Sequence, residues 1–180
     1  MTELRGPRVL LRPAREPDLP AILAVLREPS VARWWGETDE SEMRAELLDE
    51  SEVICLAIEI EGRVSGLIQY HEESDPMYRH AGIDLVLSEP YQGRGIGPEA
   101  LSLVARHLLT ERGHHRLTID PAAANRNAVR AYEKLGFKPV GVMRRYERGP
   151  DGTWHDGLLM DLLVEEFTPQ DGLARPPFEA

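Results

Sequence analysis

The sequence is poor in cysteine, in lysine and in aromatic residues, and each shortage excludes something. Cys55 is the single cysteine among 180 residues. No disulfide can form within the chain, which reads as a cytoplasmic protein. Cys55 sits in the apolar run Val53 to Ile58 with no cation beside it in sequence, which suits a packing side chain better than a reactive thiol. Lysine is confined to Lys134 and Lys138, and the formal net charge is −10. Such a chain lacks the basic footprint that nucleic acid demands. Its apolar runs are strand-sized, short of the roughly 20 residues of a membrane span. Met1 to Arg15 lack the apolar core of a signal peptide. The histidines are scattered, with His114-His115 in a loop, so no metal site is expected.

With 42% hydrophobic and 29% charged residues, the chain is expected to fold as one domain over 1–164, with 165–180 as a loose, proline-bearing tail. It leaves monomer and homodimer equally open. Short strands are expected at Val9–Arg12, Ile54–Ile60, Val64–Tyr70, Ala81–Leu87, Arg116–Asp120, Val140–Tyr146 and Gly157–Val164. Helical spacing falls at Asp18–Arg27, from Ser41, from Pro98 to Gly113, and at Asn127–Leu135. Pro29 and Trp34-Trp35-Gly36 are breakers, and His71–His80 is a polar loop. Strands and helices are mixed without strict alternation, so the class is an α/β or α+β sheet with helices on both faces.

The segment Ile83 to Gly97 carries the chemistry. An alternating strand meets a turn with Gly93, Gly95 and Gly97, and a helix opens at once. Such a turn gathers backbone N–H groups at the positive end of a helix dipole, which is an anion site; a glycine turn without a ligand is the plain alternative. No Gly-Lys-Ser/Thr ending follows, and Pro98 stands where a dinucleotide fingerprint needs glycine. Alternation puts Ile83, Leu85 and Leu87 on one face and Asp84 and Val86 on the other. Asp84 is either a base whose pKa is raised by desolvation or a solvent-facing aspartate.

Gln92-Gly93-Arg94-Gly95-Ile96-Gly97 resembles the acyl-CoA pyrophosphate loop, Gln/Arg-x-x-Gly-x-Gly/Ala, of the GCN5-related N-acetyltransferases. Asn125 to Phe137 resembles the family's later Asn-x-x-Ala-x-x-x-Tyr-x-x-x-Gly-Phe segment, in the right order and at the right distance. The resemblance implies a V-shaped, mixed and mostly antiparallel sheet of six to seven strands with helices on both faces, and acetyl-CoA as donor. It also implies cofactor contacts from the backbone at Val86 and Leu87, from Gln92, Gly93, Arg94, Gly95, Ile96 and Gly97, and from Asn125, Ala128 and Tyr132. Tyr132 would protonate the departing thiolate, and direct attack in a ternary complex would follow. Without that resemblance Tyr132 is a core tyrosine.

Within the superfamily the chain is similar to the aminoglycoside 6′-N-acetyltransferases. The likeness rests on Val31 to Gly36, Gly82-Ile83-Asp84, Ile119-Asp120-Pro121 with Asn125, and Ala128 to Phe137. That likeness implies Asp84 as base, and Asp120 and Asp156 as contacts to a polyamine sugar. The acidic loop Glu72, Glu73 and Asp75, and the acidic run Glu37 to Glu52, would steer and hold a cationic small-molecule amine or are simply solvated faces. Trp34 and Trp35 either stack on a sugar or plug the core. An acetyltransferase of another amine (a siderophore hydroxylamine precursor or a protein N-terminus) and a silent acyl-CoA-binding module are the rival readings.

Overall fold

The computed structural model describes residues 3–48 and 53–176. Among them, eight strands form one sheet in the order β1-β2-β3-β4-β5-β6-β8-β7. They are β1 (Leu4–Arg5), β2 (Leu10–Pro13), β3 (Ile54–Ile60), β4 (Arg63–Glu73), β5 (His80–Leu87), β6 (Arg116–Ile119), β7 (Lys138–Arg148) and β8 (Trp154–Leu163). Every neighbouring pair is antiparallel except β5 and β6. The sheet is therefore mixed and mostly antiparallel, as expected, with the two-residue β1 extending it beyond seven strands.

Alternation along the central strands divides the core in two. Leu56, Ile58 and Ile60 of β3, Ile68 and Tyr70 of β4, and Ile83 and Leu87 of β5 pack under α4 (Ile96–Arg106) and α5 (Arg126–Leu135). Cys55, Ala57, Leu67 and Val86 face α1 (Leu19–Leu26), α2 (Pro29–Trp35) and α3 (Glu40–Leu48) on the other side. Burying each of these larger aliphatic side chains contributes about 1.5–3 kcal/mol. Asp84 shares its strand face with Val86, so a carboxylate points into the layer beneath α1 to α3.

Three local expectations are corrected. Trp34 and Trp35 do not interrupt a helix; Pro29 opens α2 at its first position and Gly36, at φ 86°, closes it after Trp35. The segment expected as a polar loop at 71–80 begins as strand, because β4 continues to Glu73 in register with His80. The tail is tied down as far as it is described. Phe167 is fully buried, the Thr168 N–H donates to the Leu135 carbonyl at 2.8 Å, and Asp171, also fully buried, takes two hydrogen bonds from Arg106 at 2.8 and 2.9 Å. One large aromatic and one paired carboxylate outweigh the prolines around them. Asp49, Glu50 and Glu52 of the acidic run lie outside the described residues.

Candidate active site

The parallel pair β5–β6 is registered only at Ala81↔Leu117 and Gly82↔Thr118. Beyond Gly82 the two strands part. The hydrogen bond from Ser88 N to Ser65 O, with the β4–β5 register, fixes which backbone groups this leaves over. In an antiparallel ladder hydrogen-bonded pairs alternate, so Asp84 and Val86 spend their N–H and C=O on β4. Ile83 spends its N–H on β6, while Leu85 and the N–H of Leu87 turn toward the gap. Of the two residues expected to offer backbone to a cofactor, Leu87 turns its N–H to the gap, with Leu85 beside it, while Val86 bonds β4 and lines the wall.

The gap opens into a cleft of about 490 Å³ lined by Trp34, Trp35, Leu85, Val86, Leu87, Gln92, Gly93, Gly95, Gly97, Asn125, Ala128 and Tyr132, among others. Gly93 and Gly95 stand at φ 69° and 80°, in the left-handed region that favours glycine. Gly95 is the residue from which α4 starts, so the unpaired N–H groups of the first helical turn face the cleft end of the dipole. Arg94 and Ile96 do not line the cleft with their side chains: the Arg94 side chain donates to Pro90 O at 3.2 Å and Ile96 is buried in the core. Gln92 closes the turn, its amide donating to the Leu87 carbonyl at 2.8 Å. Asn125 caps α5 by accepting from Ala128 N at 3.2 Å.

Tyr132, one turn after Ala128, is buried in the cleft wall. Burial first, and then the nearby carboxylates Asp84 and Asp120, raise its hydroxyl above the usual tyrosine range. It is an O–H donor at any working pH. Asp84 is partly buried, and its pKa is raised to about 6, chiefly by desolvation and then by Asp120, Glu46 and Glu147. Four carboxylates thus share one region, and no Lys, Arg or His within ion-pair distance of any of them is found among the described residues. Nor is any group of three or more His, Cys, Asp or Glu there arranged to hold a metal ion.

Sequence reasoning missed part of this cluster. Glu46 was visible only as one of many acids; in α3 it hydrogen-bonds Gln69, and burial raises its pKa. Tyr146 hydrogen-bonds Asp120, which pushes the phenol up to about 12. Glu147, raised by burial and by Asp120, follows a β7 bulge in which Met143 pairs with Gly157 but Glu147 with His155. Arg145 in that bulge has φ 50°, and its N–H donates to the Asp156 carboxylate at 2.8 Å. Nothing in the local sequence announces a bulge that aims Tyr146 and Glu147 at Asp120.

A second cavity of about 590 Å³ shares Arg33, Trp34 and Trp35 with the first and is lined further by the acids Glu147 and Asp156, by Trp154, and by the basic residues Arg126, Arg148 and His155. Asp84 lines neither cavity, but it is electrostatically coupled to Tyr132 of the first wall and to Glu147 of the second. Trp35 packs against the core and also lines both cavities, as Trp34 does. Glu72 is elsewhere. It accepts from Arg112 at 3.0 Å and bonds His114 at 2.6 Å, a pairing that consumes its charge. Glu73 and Asp75 form an exposed turn that lines neither cavity.

A splayed sheet whose free strand edge runs into a glycine turn, near an acid and a phenol that feel each other's charge, is the frame of an acyltransferase of the coenzyme-A-dependent kind. The acetyltransferase (GNAT) domain model matches residues 8–138, and the chain belongs to that family, whose enzymes use acetyl-CoA. It is 28% identical over 165 residues to the aminoglycoside N(6′)-acetyltransferase type 1 of Klebsiella pneumoniae, covering 80% of this chain and 79% of that protein. It is 25% identical over 179 residues to the spermidine N(1)-acetyltransferase of Escherichia coli K12, covering 93% and 95%. The spermidine N-acetyltransferase of Vibrio cholerae, solved with CoA and spermine, superposes with a TM-score of 0.76 at 19% identity over 88% of this chain and 97% of that one. That likeness is one of fold.

Proposed function

We propose that this N-acetyltransferase acetylates a primary amine of a polycationic small molecule, an aminoglycoside at its 6′-amine, by direct attack in a ternary complex. The observation that carries the reading is the cluster of Asp84, Asp120, Glu46 and Glu147, with no Lys, Arg or His at ion-pair distance among the described residues, beside Tyr132. Acids gathered without an ion-pair partner are costly in a folded protein, and an acceptor bearing several ammonium groups would offset that cost.

The donor supplies an acetyl thioester, and the residues present fit it. Gly93 to Gly97 offer N–H groups to a diphosphate, Leu85 and Leu87 offer backbone to the arm, and Asn125, Ala128 and Tyr132 flank it. Acetyl transfer needs a neutral amine, a donor for the oxyanion and a proton for the leaving sulfur. Asp84, ionised above about pH 6, removes the ammonium proton. The N–H of Leu87, which has no strand partner, suits the oxyanion. Tyr132, held protonated, donates to sulfur.

Spermidine-type acceptors are the second reading, favoured by the E. coli relative that spans nearly the whole chain. The test is to incubate the protein with acetyl-CoA and kanamycin-type or gentamicin-type drugs, spermidine and a simple monoamine. Products are weighed by mass spectrometry and the acetyl group is located by NMR. Acetylation at the 6′-amine with poor use of the monoamine is the expected result. Spermidine as the sole acceptor selects the second reading, and acetyl-CoA binding without transfer to any amine removes both.

A further inference from the structure

Glu99 is a buried carboxylate, 1% exposed, that the reaction does not use. It sits in the first turn of α4 and accepts from Arg8 N at 2.8 Å, Arg8 Nε at 2.6 Å and Val9 N at 3.3 Å. Charge-assisted hydrogen bonds of this kind are among the stronger ones in proteins. They fix the guanidinium edge-on against the helix start. Its two remaining nitrogens then reach the glycine turn, Nη1 donating to the Arg94 carbonyl at 2.8 Å and Nη2 to the Gly95 carbonyl at 3.1 Å. The site leaves little slack: a Cβ on Gly6 would lie 2.7 Å from the Glu99 carboxylate, and one on Gly95 would lie 3.4 Å from Arg8 Nη2.

Peptide units are planar and trans, so each carbonyl points opposite to the N–H of the following residue. The Arg94 carbonyl is drawn to Arg8, and the Gly95 carbonyl is shared between Arg8 and the first hydrogen bond of α4, from Glu99 N at 3.2 Å, so the N–H groups of Gly95 and Ile96 are turned to the other side. Gly93, Gly95 and Gly97 line the cleft, and Arg8 is not among its lining residues. The guanidinium therefore grips the turn from behind.

We propose that Arg8, anchored by Glu99, is a positioning residue that orients the Gly95 and Ile96 amides toward the donor's diphosphate. The proposal rests on the reading of the glycine turn as a diphosphate cradle. A forked, planar cation satisfies one carboxylate and two carbonyls at once, and a lysine ammonium does not share that geometry. Arg8 acts through backbone it holds, and it lies 86 residues from Arg94 in sequence, which is why no motif around the turn reveals it.

The test compares wild type, Arg8→Met and Arg8→Lys by two measurements, with thermal melts as a check on folding. Calorimetry gives the dissociation constant for coenzyme A. Kinetics give the ratio of kcat/KM for acetyl-CoA to that for S-acetylpantetheine, a donor without the diphosphate. Misdirecting one or two amide hydrogen bonds to an anion should cost about tenfold. Both Arg8 variants are expected to bind coenzyme A about tenfold more weakly and to lose the same factor in the donor ratio. A structural role alone would lower both donors together and leave the ratio at the wild-type value, which overturns the proposal. So does wild-type behaviour of Arg8→Lys, which would reduce Arg8 to a charge. Equal use of the two donors by wild type would instead remove the cradle itself, and the proposal with it.

Discussion

Gln69 and Asp84 face each other across the β4–β5 ladder, and Gln69 also hydrogen-bonds Glu46 on α3. A neutral amide thereby stands next to two acids on the face beneath α1 to α3. The acids are near enough for Glu46 to raise the pKa of Asp84, and among the described residues neither makes an ion pair.

The first consequence is kinetic. With the Asp84 pKa raised to about 6, kcat/KM for the acceptor should fall as pH drops through that value, in addition to any limb from the amine itself. Asp84→Asn should lower turnover by about 10²–10³-fold, as loss of a general base does. The loss should be greatest between about pH 6 and the amine's own pKa, where Asp84 is ionised and free amine is scarce, and should shrink below pH 6, where Asp84 is itself protonated. A pH–rate profile unchanged by the substitution would remove Asp84 from the chemistry.

The second consequence is thermodynamic. A carboxyl whose folded pKa lies above its unfolded value binds its proton more tightly in the fold. Its stabilising contribution is complete below about pH 4 and is lost as pH rises through about 6. Asp84→Asn should therefore stabilise the protein at pH 7.5 by roughly 1–3 kcal/mol and by less at pH 5. Melting temperatures at the two pH values measure the difference, and an equal shift at both would contradict it.

Tyr132 is raised by burial and by Asp84 and Asp120, so it can donate a proton and cannot serve as a base near neutrality. Tyr132→Phe should lower turnover about 10–100-fold and leave the KM for acetyl-CoA within about twofold, since the ring remains in the wall. Steady-state kinetics decide; normal turnover would make it a packing residue beside Phe137, whose ring centroid lies 6.2 Å away.

Glu46 should discriminate acceptors. Glu46→Gln keeps the hydrogen-bonding shape but removes a charge, so the KM for a polycationic acceptor should rise about fivefold or more, with little change for a monoamine. Coupling between a close charge pair is of that order or larger. Equal effects on both acceptors would detach Glu46 from recognition.

The glycine turn and the Asn125–Phe137 segment were legible because their chemistry is local. Left-handed glycines, a capping asparagine and a helix start need only neighbours in sequence. The face of Asp84 followed from alternation alone. The acceptor side was not legible in the same way. Glu46, Tyr146 and Glu147 converge through a helix packed on a sheet and a bulge in β7, and neither leaves a period to read. Glu72 misled for the opposite reason. An acid in a polar stretch looks available until Arg112 and His114, some 40 residues on, fold back to claim it. The tail misled through its prolines, while Phe167 and Asp171 each need a distant partner to show their purpose.

Cys55 has a practical bearing on every experiment above. Its thiol is buried and pushed up to about 12, by desolvation and then by Glu46, so at neutral pH almost none of it is thiolate. Disulfide reagents that report thiols colorimetrically should find nothing to react with in the folded enzyme. Each equivalent of colour can then be assigned to liberated coenzyme, and the protein supplies its own blank.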